Sequence, residues 1–237
     1  MLFRSLYRAA RYQEAESVWA AAAAKLPDNE ALHRNLGAVH HMLGRHDQAA
    51  AEFQKALELN PLPATYSNLG TIRFFQGKYD AAVPAFEKAV DGRPGSYLYW
   101  GNLGDAYRWA TGTRPKALAA YTRAVQLARA EGKSKPNDLD LRSRLVLYLV
   151  KLGDTDAARV ELASIPPAAR PAAVWFRLTV AWELLKDREA ALNSLDQALR
   201  AGYLRTEIEG EPELATLRAD RRYHVRMARV DPVAPPK

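Results

Sequence analysis

HRNLGAVHHMLGRHDQAAAEFQKALELNP (residues 33–61) is followed 33 residues later by YSNLGTIRFFQGKYDAAVPAFEKAVDGRP (residues 66–94). The same spelling returns in WGNLGDAYRWATGTRPKALAAYTRAV (residues 100–125) and, more loosely, in LRSRLVLYLVKLGDTDAARVELASIPP (residues 141–167). Leu-Gly pairs fall at 36–37, 69–70 and 103–104, offset by 33 and 34 residues. Pro27, Pro61 and Pro94 keep the same step, and an alanine recurs at Ala15, Ala49, Ala82, Ala117, Ala158 and Ala191. Self-similarity at this period marks stacked supersecondary units, each too small to bury its apolar face alone.

Each recurring position has a physical role. Gly37, Gly70 and Gly104 let the two helices of a unit approach closely. Gly44, Gly77 and Gly153 suit the left-handed residue that closes a first helix. Ala49, Ala82, Ala117, Ala158 and Ala191 keep the second helix near the first, while Phe53, Phe86, Tyr121, Leu162 and Leu195 fill the gap toward the next unit. Pro27, Pro61, Pro94 and Pro166 cannot continue a helix and mark the turn onward.

This pattern resembles the tetratricopeptide repeat family, whose signature is Trp-x2-Leu-Gly-x2-Tyr, then Ala-x3-Phe, then Pro. Trp100, Leu103, Gly104 and Tyr107 match the first part; Ala49, Phe53 and Pro61, then Ala82, Phe86 and Pro94, match the second. The resemblance covers roughly residues 2–201. It implies an all-α, right-handed superhelical solenoid of helix-turn-helix repeats, about five full units plus an N-terminal partial one. Residues 1–201 are expected to form the solenoid, 202–230 a helical cap and 231–237 a frayed Pro-rich tail.

Departures from the period are informative. The step from Ala117 to Ala158 is 41 residues, which predicts a longer second helix and a polar loop in QLARAEGKSKPND. Pro84 lies inside a predicted helix, where it should kink the helix or delay its start. Lys186 stands where the last unit should have its turn glycine. At the N-terminus, Tyr12 onward reads as a second helix with Trp19 at the inter-unit aromatic position, preceded by only Leu2 to Ala10. Either the first helix is irregular, or the chain is cut from a longer one or has this face covered by a partner or a second copy. In the tail, residues 211–214 and 220–223 read as short helices, with Leu214, Leu217, Tyr223 and Met227 packing over the last repeat. That tail resembles the closing segment of repeat regions in bacterial multidomain proteins that carry a protein kinase or a winged-helix segment. It implies a larger parent and leaves an architectural or oligomerisation role as the alternative function.

Composition narrows the chemistry. The 237 residues contain no cysteine, so thiolate metal sites and cysteine nucleophiles are excluded. The formal charge of +7 is local: residues 101–150 hold nine Lys or Arg against four Asp or Glu. Arg123, Arg129, Lys133, Lys135, Arg142 and Arg144 form this excess, which could steer an acidic protein partner. Nucleic acid is not expected, because a reader would interleave aromatics with the basic stripe. No apolar run is long enough for a membrane span, and a cytoplasmic location is expected. No phosphate-cradling loop, HExxH or GxSxG motif occurs, so no enzyme, cofactor or metal is expected. His33 and His40 lie seven apart at packing positions of one helix and read as structural.

What remains is binding. By the family resemblance, first helices line a concave groove, which here would present Arg34, His41, Phe74, Phe75, Asn102, Asp105, Arg108, Trp109, Arg144 and Arg177 to a peptide or partner domain. Phe74, Phe75 and Trp109 could equally pack between neighbouring first helices. The chaperone-tail-binding branch of the family uses a carboxylate clamp. Ala38, Thr71 and Asp105 stand where that clamp needs asparagine, so no such clamp is expected.

Overall fold

The computed structural model describes residues 11–166 and 170–229. Among them the chain is all-α, without a strand. It divides into two compact units, one ending at Ala117 and the other beginning at Leu118.

The first unit holds α1 (Tyr12–Lys25), α2 (Glu30–Met42), α3 (His46–Leu59), α4 (Pro63–Phe75), α5 (Tyr79–Gly92), α6 (Tyr97–Trp109) and the first turn of α7 (Arg114–Gly132). Helices adjacent in sequence pack together: α2 with α3 and α4 with α5 as hairpins, linked through α3–α4 and α5–α6, with α1 on α2. The hairpins close tightly for a local reason. A Cβ on Gly37 would meet the Phe53 ring at 2.9 Å, and one on Gly70 would meet Phe86 at 2.8 Å. Each phenylalanine thus lies on its own unit's glycine, and Phe53 also reaches Leu69 and Ile72 of the next hairpin in one buried cluster. Trp19 packs beside Ala15 and Val39 as expected for the inter-unit position.

Helix ends follow the residues. Asn29 accepts a hydrogen bond from the Leu32 amide and Ser96 one from Tyr99, while Pro63 opens α4, where a missing amide costs nothing. Gly44 and Gly77 are left-handed, with φ of 72° and 71°. Pro84 does not delay its helix: α5 starts at Tyr79 and runs through it. Two buried histidines join helices here. His33 bridges Glu52 at 2.7 Å and the Pro27 carbonyl at 2.8 Å. Burial pushes the His40 imidazole below its ordinary value, against the opposing pull of Glu16 and Glu52.

The second unit holds the rest of α7, then α8 (Leu139–Leu152), α9 (Thr155–Ala163), α10 (Ala172–Leu184) and α11 (Arg188–Arg200). The closing segment comprises α12 (Arg205–Gly210), a 3-10 turn (Pro212–Leu214), α13 (Ala215–Arg218) and α14 (Arg221–Arg229). α7 is 19 residues long, against 14 for α3 and α5, so the added residues did lengthen a second helix. Asp138, Asp154 and Asp187 cap α8, α9 and α11. Gly153 turns at φ 87°, whereas Lys186 holds the same turn at φ 66°, the one non-glycine residue with positive φ among those described.

Where the first unit has glycine facing phenylalanine, the second has Val146 sixteen residues before Leu162 and Thr179 sixteen before Leu195. All four are buried. A larger residue on the first helix is matched by a smaller one on the second, which conserves volume at the hairpin centre. The closing segment covers the last hairpin. Ile208, Leu214 and Leu217 are fully buried, and Tyr223 and Met227 nearly so. The 3-10 turn packs on α10 and α14 on α11. The predicted cap residues are therefore buried as expected; α12 and Ile208 were not anticipated. Residues 231–237 lie outside the described residues, as do Leu2 to Ala10.

Candidate functional site

In the first unit, six rings run along the ends of the helices. His41 closes α2 and stacks on Phe75 at 5.6 Å, with His46 of α3 5.6 Å away. Phe74 and Phe75 meet edge to face at 6.3 Å, and Phe74 meets Tyr79 of α5 at 5.0 Å. Tyr79 approaches Trp109, at the end of α6, at 6.1 Å. Each ring therefore leans on a ring of its own or the next hairpin, yet all but Trp109 are only half-buried, and Trp109 is 39% exposed. These aromatics pack between hairpins and leave an apolar edge in water. His46 and Tyr79 were missed in sequence, although they lie one 33-residue period apart and open successive second helices.

The other predicted groove residues of this unit are already engaged in part. Arg34 lies 3.4 Å from Glu30. Asn102 on α6 donates to Ser67 Oγ on α4 at 3.3 Å, tying consecutive first helices. Asp105 and Arg108 are half-buried on α6.

The second unit treats the same positions differently. Arg177 stands where Asn102 stands in its repeat, and it donates to Ser143 Oγ at 2.9 Å, as Asn102 does to Ser67. It also pairs with Asp140, which Arg144 holds at 2.8 Å. Burial alone would raise the Asp140 carboxyl, but the two guanidiniums outweigh it and hold it below its ordinary value. Arg177 is 9% exposed, so its guanidinium serves this internal network and does not face a partner. Further along α10, Phe176 stacks on Tyr203 at 4.3 Å and Glu183 accepts from Arg188 at 2.7 Å and Thr216 at 2.5 Å. The first-helix face of the last hairpin is thus covered by the closing segment of the same chain.

The second-helix side carries a cleft at one recurring place, between the end of one second helix and the next hairpin. In the first unit it is about 280 Å³ and has mixed charge, with Glu58, Arg73 and Lys88 around Leu57, Tyr66 and Leu69. In the second it is about 310 Å³ and its rim is mostly basic. Among the described residues no group of three or more His, Asp or Glu could hold a metal ion, and no helix is long and apolar enough to cross a membrane.

Stacked helical hairpins with left-handed turns, an alanine-lined interface and a capped end define a helical-repeat protein, a class that works by presenting extended binding surfaces. Residues 28–94 and 68–134 each match a tetratricopeptide repeat family, so residues 28–134 are a run of tetratricopeptide repeats. No curated protein matches the sequence. Among solved structures, the thermophilic tetratricopeptide-repeat protein TTC0263 of Thermus thermophilus is 21% identical, with TM-score 0.57 over 84% of this chain and 100% of that one. Pseudomonas aeruginosa pilF is 18% identical, with TM-score 0.56 over 92% and 94%. MamA 41-end from Desulfovibrio magneticus RS-1 is 21% identical, with TM-score 0.54 over 68% and 88%. At these identities the likeness is one of fold.

Proposed function

We propose that the protein is an interaction scaffold, without catalysis of its own, that holds a peptide or partner domain against the ring edge of its first unit. The repeat family and fold support a protein-binding role. The observation that carries the finer reading is the string His41, His46, Phe75, Phe74, Tyr79 and Trp109, half-exposed along the first-helix ends. Large rigid aromatics supply contact area at low entropic cost and dominate binding hot spots. At the last hairpin of the second unit the first-helix face is occupied by the chain itself, so a partner has less to grip there. The test is partner capture followed by mass spectrometry, with the Phe74→Ala/Trp109→Ala double variant beside the parent. Hot-spot truncations cost about 2 kcal/mol or more each, so capture should fall at least tenfold while the helical signal is retained. Undiminished capture by the variant would sink this reading.

A further inference from the structure

The basic cleft of the second unit is a consequence of the one long insertion in the repeat. A second helix of 14 residues, like α3 and α5, would end near residue 127. The extra turn of α7 carries Arg129, and the loop that follows carries Lys133 and Lys135. With Arg142 of α8 they rim a depression of about 310 Å³ whose floor is Ala128, Leu141 and Leu145. Two of the four cations are engaged. Lys135 pairs with Glu131 at 2.6 Å, and Arg142 with Glu161 at 2.7 Å and the Ser164 carbonyl at 3.2 Å. Arg129 and Lys133 are exposed and have no carboxylate partner among the described residues. Residues 101–150 as a whole carry +5, from nine cations and four anions, so no neighbouring acidic excess neutralises the pair.

We propose that this cleft is a second binding site, separate from the ring edge, and that it takes an acidic peptide segment with an apolar side chain set between its carboxylates. Charge complementarity selects the acidic partner: two uncommitted cations attract carboxylates and raise the rate of encounter. The aliphatic floor selects a peptide over a nucleic acid. Among the described residues no aromatic ring lines the cleft for a base to stack on, and a bare phosphate would leave Leu141 and Leu145 without a counterpart. Each cleft has one carboxylate in its lining: in the second unit Glu161 is paired with Arg142 at 2.7 Å, which leaves Arg129 and Lys133 in excess, whereas in the first unit Glu58 stands against only Arg73 and Lys88.

The probe is a fluorescein-labelled synthetic peptide of repeated Glu-Glu-Leu, followed by anisotropy with the full chain. The expected result is saturable binding that weakens with added salt. It should be at least about tenfold weaker in Arg129→Glu/Lys133→Glu and intermediate in Arg129→Gln/Lys133→Gln. These side chains are exposed, so circular dichroism should show unchanged helix in both variants. Phe74→Ala/Trp109→Ala should bind the probe as the parent does, whatever becomes of the ring-edge reading. The proposal is overturned by absence of saturable binding or by equal affinity in the charge-reversed variant. It is also overturned by equal affinity for a Glu-Glu-Ser peptide, by tighter binding of an oligouridylate, or by loss of the probe in the ring-edge variant.

Discussion

The two units build one repeat in two ways. In the first, Gly37 and Gly70 lie under Phe53 and Phe86, and the ends of the first helices leave rings half-exposed. In the second, Val146 and Thr179 stand at the glycine position and Leu162 and Leu195 at the aromatic one. There the first-helix face of the last hairpin is covered by Tyr203 and Thr216. The rung between first helices shows the same division: a neutral Asn102 to Ser67 in one unit, a charged Arg177 to Ser143 and Asp140 in the other. The lesson is that period conserves the sum of volumes and the geometry of the rung, while the residues themselves decide whether a face is offered to a partner or closed internally.

The largest test of that division is to uncover the closed face. Removing residues 203–237 exposes the surface that Ile208, Leu214, Leu217 and Tyr223 bury, at about 1.5–3 kcal/mol for each large side chain. A shift of this size should lower Tm by about 10 °C or more. Removing residues 1–11 should shift it less. If thermal melts show the tail deletion behaving like the full chain and remaining soluble, the closing segment is no cap and the contrast between the units fails.

A smaller effect sharpens the packing side. Gly70→Ala places a methyl 2.8 Å from the Phe86 ring and should cost about 1–3 kcal/mol in urea unfolding. Adding Phe86→Leu, which imitates the second unit's pairing, should recover part of that loss. A double variant no better than the sum of its singles would show that volume is not what the pair conserves.

The smallest effect belongs to the turns. Lys186 takes the left-handed conformation that glycine takes at 44, 77 and 153. Lys186→Gly relieves about 1–2 kcal/mol of side-chain crowding and loses about 0.5–1 kcal/mol to the freer unfolded chain. A net gain of about 0–1.5 kcal/mol is expected, whereas Gly77→Ala should destabilise. A change of the same sign at the two positions would mean that the turns are not equivalent.

Most of the fold was legible because the repeat states it several times. The hairpins, the left-handed turns, the lengthened α7 and the buried Leu214, Leu217, Tyr223 and Met227 all follow from spacing and side-chain type. Of the two effects expected of Pro84, the delayed start does not occur: one missing amide inside a helix held by its neighbours does not move the start from Tyr79. The site was less legible. Phe74, Phe75, His41 and Trp109 could be named from register, but His46 and Tyr79 belong to second helices and join the string only in three dimensions. Arg177 fits a groove position by count, yet its guanidinium turns to Asp140, a partner 37 residues away that no local pattern announces.

The order of the chain adds a temporal side to the covered face of α10. Each hairpin packs on neighbours in sequence, so contacts are local and folding can follow synthesis closely. The cover for Phe176 and Glu183 is made later, because Tyr203 lies 19 residues and Thr216 32 residues beyond Leu184. At about 5–20 residues per second, α10 waits roughly 2–6 s on the ribosome before its lid exists. During that interval the nascent chain displays an apolar helix that the finished protein never shows, and it is then that chaperones have a surface to hold.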